Sequence, residues 1–226
     1  MKMIDLTHPF SIHTPGWVGY PSPKLSYFQR FATQGIVSQM LELPLHSGTH
    51  FDAEMHIVSG GADLASVPIE RLCREGVIVD ISDEMQDWAV IKPHHITDRV
   101  EVEKGDILLY NTGYHRFYNG APEEDEERYF LRHPGGDREF AEWLVEMELA
   151  WTGFDTASGD NPLNTSIRTK WRPEIAASSR IRPGSTRTSC SLRTTFSSCT
   201  RSRSGTGSRT SRTSAAISRP PGHAAA

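Results

Sequence analysis

His46-Ser-Gly-Thr-His50-Phe-Asp52-Ala-Glu-Met-His56 sets four potential ligands or acid–base groups, His46, His50, Asp52 and His56, within eleven residues of a 226-residue chain. Imidazole nitrogen and carboxylate oxygen together suit zinc, manganese or iron, whereas calcium prefers a shell of oxygens. All four positions share parity, so in extended backbone they point to one side. A helix would align His46 with His50 but carry Asp52 to another face. Residues four apart in a straight strand, however, lie roughly 13 Å from one another, too far for two ligands of one ion. The chain must therefore turn between His46 and His50, and Gly48 is the residue that accepts the backbone angles of such a turn.

His46, His50 and Asp52 are the predicted metal ligands. Three protein ligands leave a coordination position open, as in catalytic rather than structural sites. At such a position a metal ion activates water and polarises a carbonyl. His56, four residues beyond Asp52, is placed to move protons without binding the ion. Outside this stretch, His8, His13, His94, His95, His115 and His133 are expected in ordinary surface or core roles. Trp17, Tyr20 and Phe28 read first as core or surface aromatics; as lining of a substrate pocket, Trp17 is the candidate.

Outward from this stretch, the first 176 residues alternate strand and helix signals in an α/β pattern, with mixed strand pairing. Met3–Leu6 is a short apolar start. Ile36–Leu45 alternates over its second half, as a half-buried strand does. Ser66 is expected to cap a helix running through Cys73, with Gly76 as its stop. Val77–Ile81 is a compact β-branched strand, and the turn Lys104-Gly105-Asp106 leads into another over Ile107–Tyr110. Asp137 can cap a helix whose Phe140, Leu144 and Met147 recur at helical spacing, before a strand over Leu149–Phe154. The acidic run Glu123–Glu127 is expected as a solvated loop.

Apolar content of 37% and charged content of 23% suit a soluble globular chain, long enough for one domain with a sizeable core. No apolar run is long enough for a membrane span, and Met1–His8 lacks the apolar segment of a secretion signal. Cys73, Cys190 and Cys199 form neither a CxxC pair nor an even framework, which fits a reducing cytoplasm.

The net charge of −4 conceals a split. All 28 acids lie at or before Glu174, with 15 of the 24 lysines and arginines before Ala177, so the first 176 residues stand at −13. Residues 177–226 hold nine arginines, thirteen serines, eight threonines and no acid. That composition fits a disordered tail or a basic nucleic-acid tail. It also fits, and better, a GC-rich gene read out of frame. Thr210–Ser218 written ACG TCG AGA ACC TCG GCG GCG ATC TCG gives Val-Glu-Asn-Leu-Gly-Gly-Asp-Leu once two bases are dropped. Thr188–Thr200 treated likewise can give ELFPPDHFQLMH. Both products read as globular sequence. The boundary is therefore set at 176, with a hydrolase domain before it and an out-of-frame, disordered tail over 177–226.

His46-x-Gly-Thr-His50-x-Asp52-x-x-x-His56 resembles the H-x-G-T-H-x-D-x-P-x-H signature of the cyclase-like metal-dependent hydrolases, a family that includes bacterial kynurenine formamidases and isatin hydrolases. The similarity extends to Ile4-Asp-Leu-Thr-His8, Gly105-Asp-Ile-Leu-Leu and Gly153-Phe-Asp155-Thr-Ala-Ser158, and so spans roughly residues 3 to 175. The resemblance implies a swivelling β/β/α fold with a mixed sheet, assembled as homodimers or homotetramers. It implies one or two Zn or Mn ions on the residues matching His46, His50 and Asp52, with acid–base catalysis at the one matching His56. The signature's proline is Glu54 here, which adds a carboxylate near the metal. The family also uses a later histidine and a glutamate, and its Glu-Asn-Leu stretch resembles the shifted reading of Thr210–Ser218. The encoded frame lacks those groups and the last strands.

The expected activity is metal-dependent hydrolysis of a C–N bond in a small cyclic amide or N-formyl aromatic compound, as in arylformamidases and isatin hydrolases. Lactone hydrolysis, polyketide cyclisation and an inactive metal-binding paralogue are the alternatives. A nucleic-acid partner is disfavoured, because Phe196 is the lone aromatic of the basic tail. No P-loop, GxGxxG or GxSxG elbow competes.

Overall fold

The computed structural model describes residues 3–170; the boundary at 176 and the tail beyond it lie outside these residues. Three small sheets organise the chain. Strands β1 (Lys24–Gln29) and β2 (Ser38–Glu42) form an antiparallel hairpin around the one-turn helix α1 (Phe31–Gln34). Strands β3 (Gly76–Asp80), β5 (Ile107–Asn111) and β7 (Trp151–Phe154) form a parallel sheet in the order β3-β5-β7. Between them in sequence, β4 (Val90–Ile91) and β6 (Gly135–Gly136) make a short parallel pair. Parallel and antiparallel pairing thus both occur, as the α/β pattern predicted, but in separate sheets.

The core lies on one face of the parallel sheet. Alternation in β3 turns Val77 and Val79 inward, where they join Leu108 and Tyr110 of β5. Helix α3 (Pro93–Thr97) adds Ile96, and helix α5 (Arg138–Glu146) adds Phe140 and Leu144. Asp137 caps α5 as predicted, its Oδ1 accepting from the Phe140 amide at 3.2 Å. A second, aromatic cluster gathers Tyr114, Phe117 and Tyr118 with Tyr129 and Phe130 of α4 (Glu126–Leu131). Short helices α2 (Ile69–Leu72) and α6 (Ile167–Lys170) complete the set.

Three local expectations are corrected. Ser66 caps no helix: it ends a 3₁₀ turn, Leu64–Ser66, whose cap is Asp63, and α2 starts behind Pro68. An aspartate three residues upstream accepts the Ser66 amide at 2.9 Å and closes the earlier turn first. Gly76 does not stop α2 but opens β3, where a Cβ would sit 2.1 Å from the Ile107 carbonyl oxygen. Its lack of a side chain serves the close approach of two strands. The acidic run is only half loop: Asp125 caps α4, and Glu126 and Glu127 form its first turn, where the helix dipole favours acids.

Candidate metal centre

The segment 43–56 is held against the body at two places. Phe51 packs edge-on against Trp151 of β7, with ring centroids 5.7 Å apart. Thr49 Oγ1 accepts the His8 amide at 2.9 Å, and the His8 ring stacks on Tyr118 of the aromatic cluster at 3.9 Å. The segment therefore bridges the parallel sheet and the second cluster.

Gly48 makes the turn, with φ at +65° in the left-handed region. The turn brings three ligand atoms together. His46 Nδ1 lies 2.9 Å from Asp52 Oδ1 and 3.1 Å from His50 Nε2, and His50 Nε2 lies 3.3 Å from Asp52 Oδ1. Atoms bonded to one ion at about 2.0–2.2 Å are spaced at such separations, so the donor set fits a single zinc- or manganese-type cation. Among the described residues this is the only such convergence of histidine, cysteine and carboxylate ligand atoms.

The surroundings prepare these atoms. His50 Nδ1 donates to the Gly48 carbonyl at 2.9 Å, which leaves the Nε2 lone pair for a cation. Its hydrogen bond to Asp52 raises the His50 imidazole above its ordinary value. Burial alone would raise the Asp52 carboxyl, but the His50 hydrogen bond and the charges of His50, His46 and His56 hold it below the usual range. Burial lowers His46.

His56 ends the 3₁₀ turn Glu54–His56, its ring centroid 4.0 Å from that of His46. Glu54 does not add a carboxylate to the site: Oε2 accepts the Ala62 amide at 3.4 Å, and the side chain lies along Gly61. A β-bridge between Gly16 and Ser47 brings Trp17 alongside, where its ring meets Tyr20 at 5.8 Å and Tyr20 meets His46 at 6.2 Å. Trp17 thus stands one ring removed from a ligand. Phe28 lies on the hairpin and makes no ring contact with this group among the described residues.

One polar constellation escaped local pattern reading. Asp155, just past the end of β7, accepts from Thr112 N at 2.8 Å, Thr112 Oγ1 at 2.7 Å and His115 Nδ1 at 2.9 Å. Burial acts to raise its carboxyl, yet these donors hold it below the usual range. The same bond raises His115. His115 and Asp155 are 40 residues apart, so only the topology of the parallel sheet joins them.

Several solved structures share this fold. Isatin hydrolase A from Labrenzia aggregata, bound to benzyl benzoate, is 20% identical over 71% of this chain and 70% of that one, with a TM-score of 0.59. An isatin hydrolase bound to the product analogue thioisatinate is 18% identical over 75% and 72%, with a TM-score of 0.61. A "predicted metal-dependent hydrolase" from Bacillus stearothermophilus is 21% identical over 70% of each chain, with a TM-score of 0.54. No curated protein sequence matches. The family model described as "Putative cyclase" matches residues 4–161, a span that includes every ligand of the centre, and the chain therefore belongs to the cyclase family.

Proposed function

We propose that this chain is a metal-dependent hydrolase of a C–N bond in a small cyclic amide or N-formyl aromatic compound, with Zn or Mn held by His46 Nδ1, His50 Nε2 and Asp52 Oδ1. The observation that carries the reading is the convergence of these three atoms across a left-handed turn. A bound ion would supply an activated water and a Lewis acid for the substrate carbonyl. The chain's own residues do the rest. Gly48 fixes the orientation of His50, and Asp52 stays ionised beside it. His56 accepts the proton of the attacking water and returns it to the leaving nitrogen, work for which imidazole is suited near neutral pH. Trp17 offers an aromatic face for a planar substrate. Relatives named isatin hydrolases support the cyclic-amide class.

The test pairs metal analysis with turnover of isatin, N-formylkynurenine and an unsaturated lactone. Asp52→Ala should lose the metal. His56→Ala should keep it and lose about 10²–10⁴-fold in rate. A purified chain that takes up neither zinc nor manganese would end this reading. Turnover of the lactone alone would move the assignment to lactone hydrolysis.

A further inference from the structure

His56 is exposed, and none of the three residues of its 3₁₀ turn, Glu54–His56, is buried. Hydrophobic packing therefore does not fix the imidazole beside the ligands. What fixes it is a closed loop over residues 53–62, tied by hydrogen bonds. The His56 amide donates to the Ala53 carbonyl at 3.0 Å, and the Val58 amide to the Glu54 carbonyl at 3.0 Å. The chain then turns back, with the Gly61 amide donating to the Val58 carbonyl at 2.9 Å.

The returning arm meets the turn at Ala62, through both of its backbone groups. Its carbonyl accepts the Met55 amide at 3.0 Å, and its amide donates to Glu54 Oε2 at 3.4 Å. Contact here is close: a Cβ on Gly61 would lie 2.8 Å from Glu54 Cγ and 3.0 Å from the Met55 nitrogen. Met55 immediately precedes His56, so a loop that opens at Ala62 frees the residue that carries the imidazole. Proline, which the H-x-G-T-H-x-D-x-P-x-H signature has at this position, would secure the turn by other means. Ala53, at φ −83° and ψ 161°, already holds the backbone shape that a following proline imposes, and the first position of a helical turn accepts proline. Proline stiffens the start of the turn; glutamate fastens its end.

We propose that Glu54 is a positioning residue: its carboxylate, by holding the Ala62 amide, closes the 53–62 loop and keeps the His56 imidazole against the ligand His46. The inference rests on His56 as the proton carrier proposed above and deepens that reading, in which Glu54 has no part.

Glu54→Ala and Glu54→Gln are compared with the parent, each loaded with zinc. In Glu54→Ala, exchange at the Met55 and Ala62 amides should quicken by about tenfold or more. Its kcat should fall about 10–100-fold, with KM and metal content unchanged, as for a proton carrier displaced by about an ångström. Glu54→Gln should behave as the parent, because an amide oxygen accepts the same bond. Added to His56→Ala, Glu54→Ala should slow turnover no further, since the two act through one group. Parent-like exchange in Glu54→Ala overturns the inference. So does a loss in Glu54→Gln equal to that of Glu54→Ala, or a loss that adds in full to that of His56→Ala. If the parent takes up no metal or turns over none of the three substrates, the functional reading fails alone. The placement of His56 is then read from the nuclear Overhauser contact between the His46 and His56 rings, whose centroids lie 4.0 Å apart. That contact should persist in Glu54→Gln and vanish in Glu54→Ala; its survival in Glu54→Ala overturns the inference.

Discussion

Phe140 in α5 is wholly enclosed, while Phe28 in β1 leaves 61% of its surface open. The two residues stand for two regions with opposite uses of apolar side chains. In the body, from Gly76 to Ile167, strands alternate and helices turn one stripe inward, so that hydrophobic burial stabilises the fold. In the lobe, from Met3 to Ile69, comparable side chains gain almost nothing from the described contacts. What holds the lobe is a handful of specific links: the His8 amide to Thr49, the stack of His8 on Tyr118, and Phe51 on Trp151. The candidate metal ligands lie in the lobe. Hydrophobic stability and the proposed chemistry therefore rest on different parts of the molecule.

Phe140→Ala probes the body hardest. It should cost about 3–5 kcal/mol, read as a fall in the urea midpoint at constant m-value. Next comes a titration confined to the body. His133 is wholly buried, and burial lowers its imidazole from 6.5 to about 4, so the native state excludes a proton that the unfolded chain binds. Its contribution weakens as pH falls from 6.5 to 4, by up to about 3 kcal/mol. Asp160 acts in the opposite sense. Burial raises its carboxyl from 3.8 to about 7, so the native state keeps a proton that the unfolded chain releases, and its contribution weakens as pH rises from 3.8 to 7. The two largely offset each other. Relative to the parent, Asp160→Asn should therefore add a rise in stability of about 3 kcal/mol between pH 4 and 6.5; a profile parallel to that of the parent removes this account.

Gly76→Ala should cost about 1–3 kcal/mol, because its Cβ meets the Ile107 carbonyl and the β3–β5 pair must part. Phe28→Ser should change stability by no more than about 0.5 kcal/mol in the present chain. A loss there approaching that of Phe140→Ala would break the comparison between lobe and body.

How much of this was legible in the sequence follows the same division. β-branched runs and capping residues are local signals, so β3, β5 and α5 could be read from Val77–Ile81, Ile107–Tyr110 and Asp137. The turn at Gly48 was legible because metal geometry demanded it. Ser66 and Gly76 misled, since a capping residue and a stop residue look alike whether they end an element or begin the next. Glu54 misled for another reason. Spacing put it beside the ligands, but a free amide at Ala62 drew it away. The pairing of His115 with Asp155 had no local signature, being made by two parallel strands that are adjacent in space and distant in sequence.

The hydrogen bond from the His8 amide to Thr49 Oγ1 also makes an intrinsic gauge. Thr49 sits next to His50, so any event that orders or loosens the ligand segment changes how often that one amide proton is released to solvent. Exchange at His8, followed during a titration with zinc, would count loop openings from 41 residues away in sequence, with no substrate and no label on the site itself.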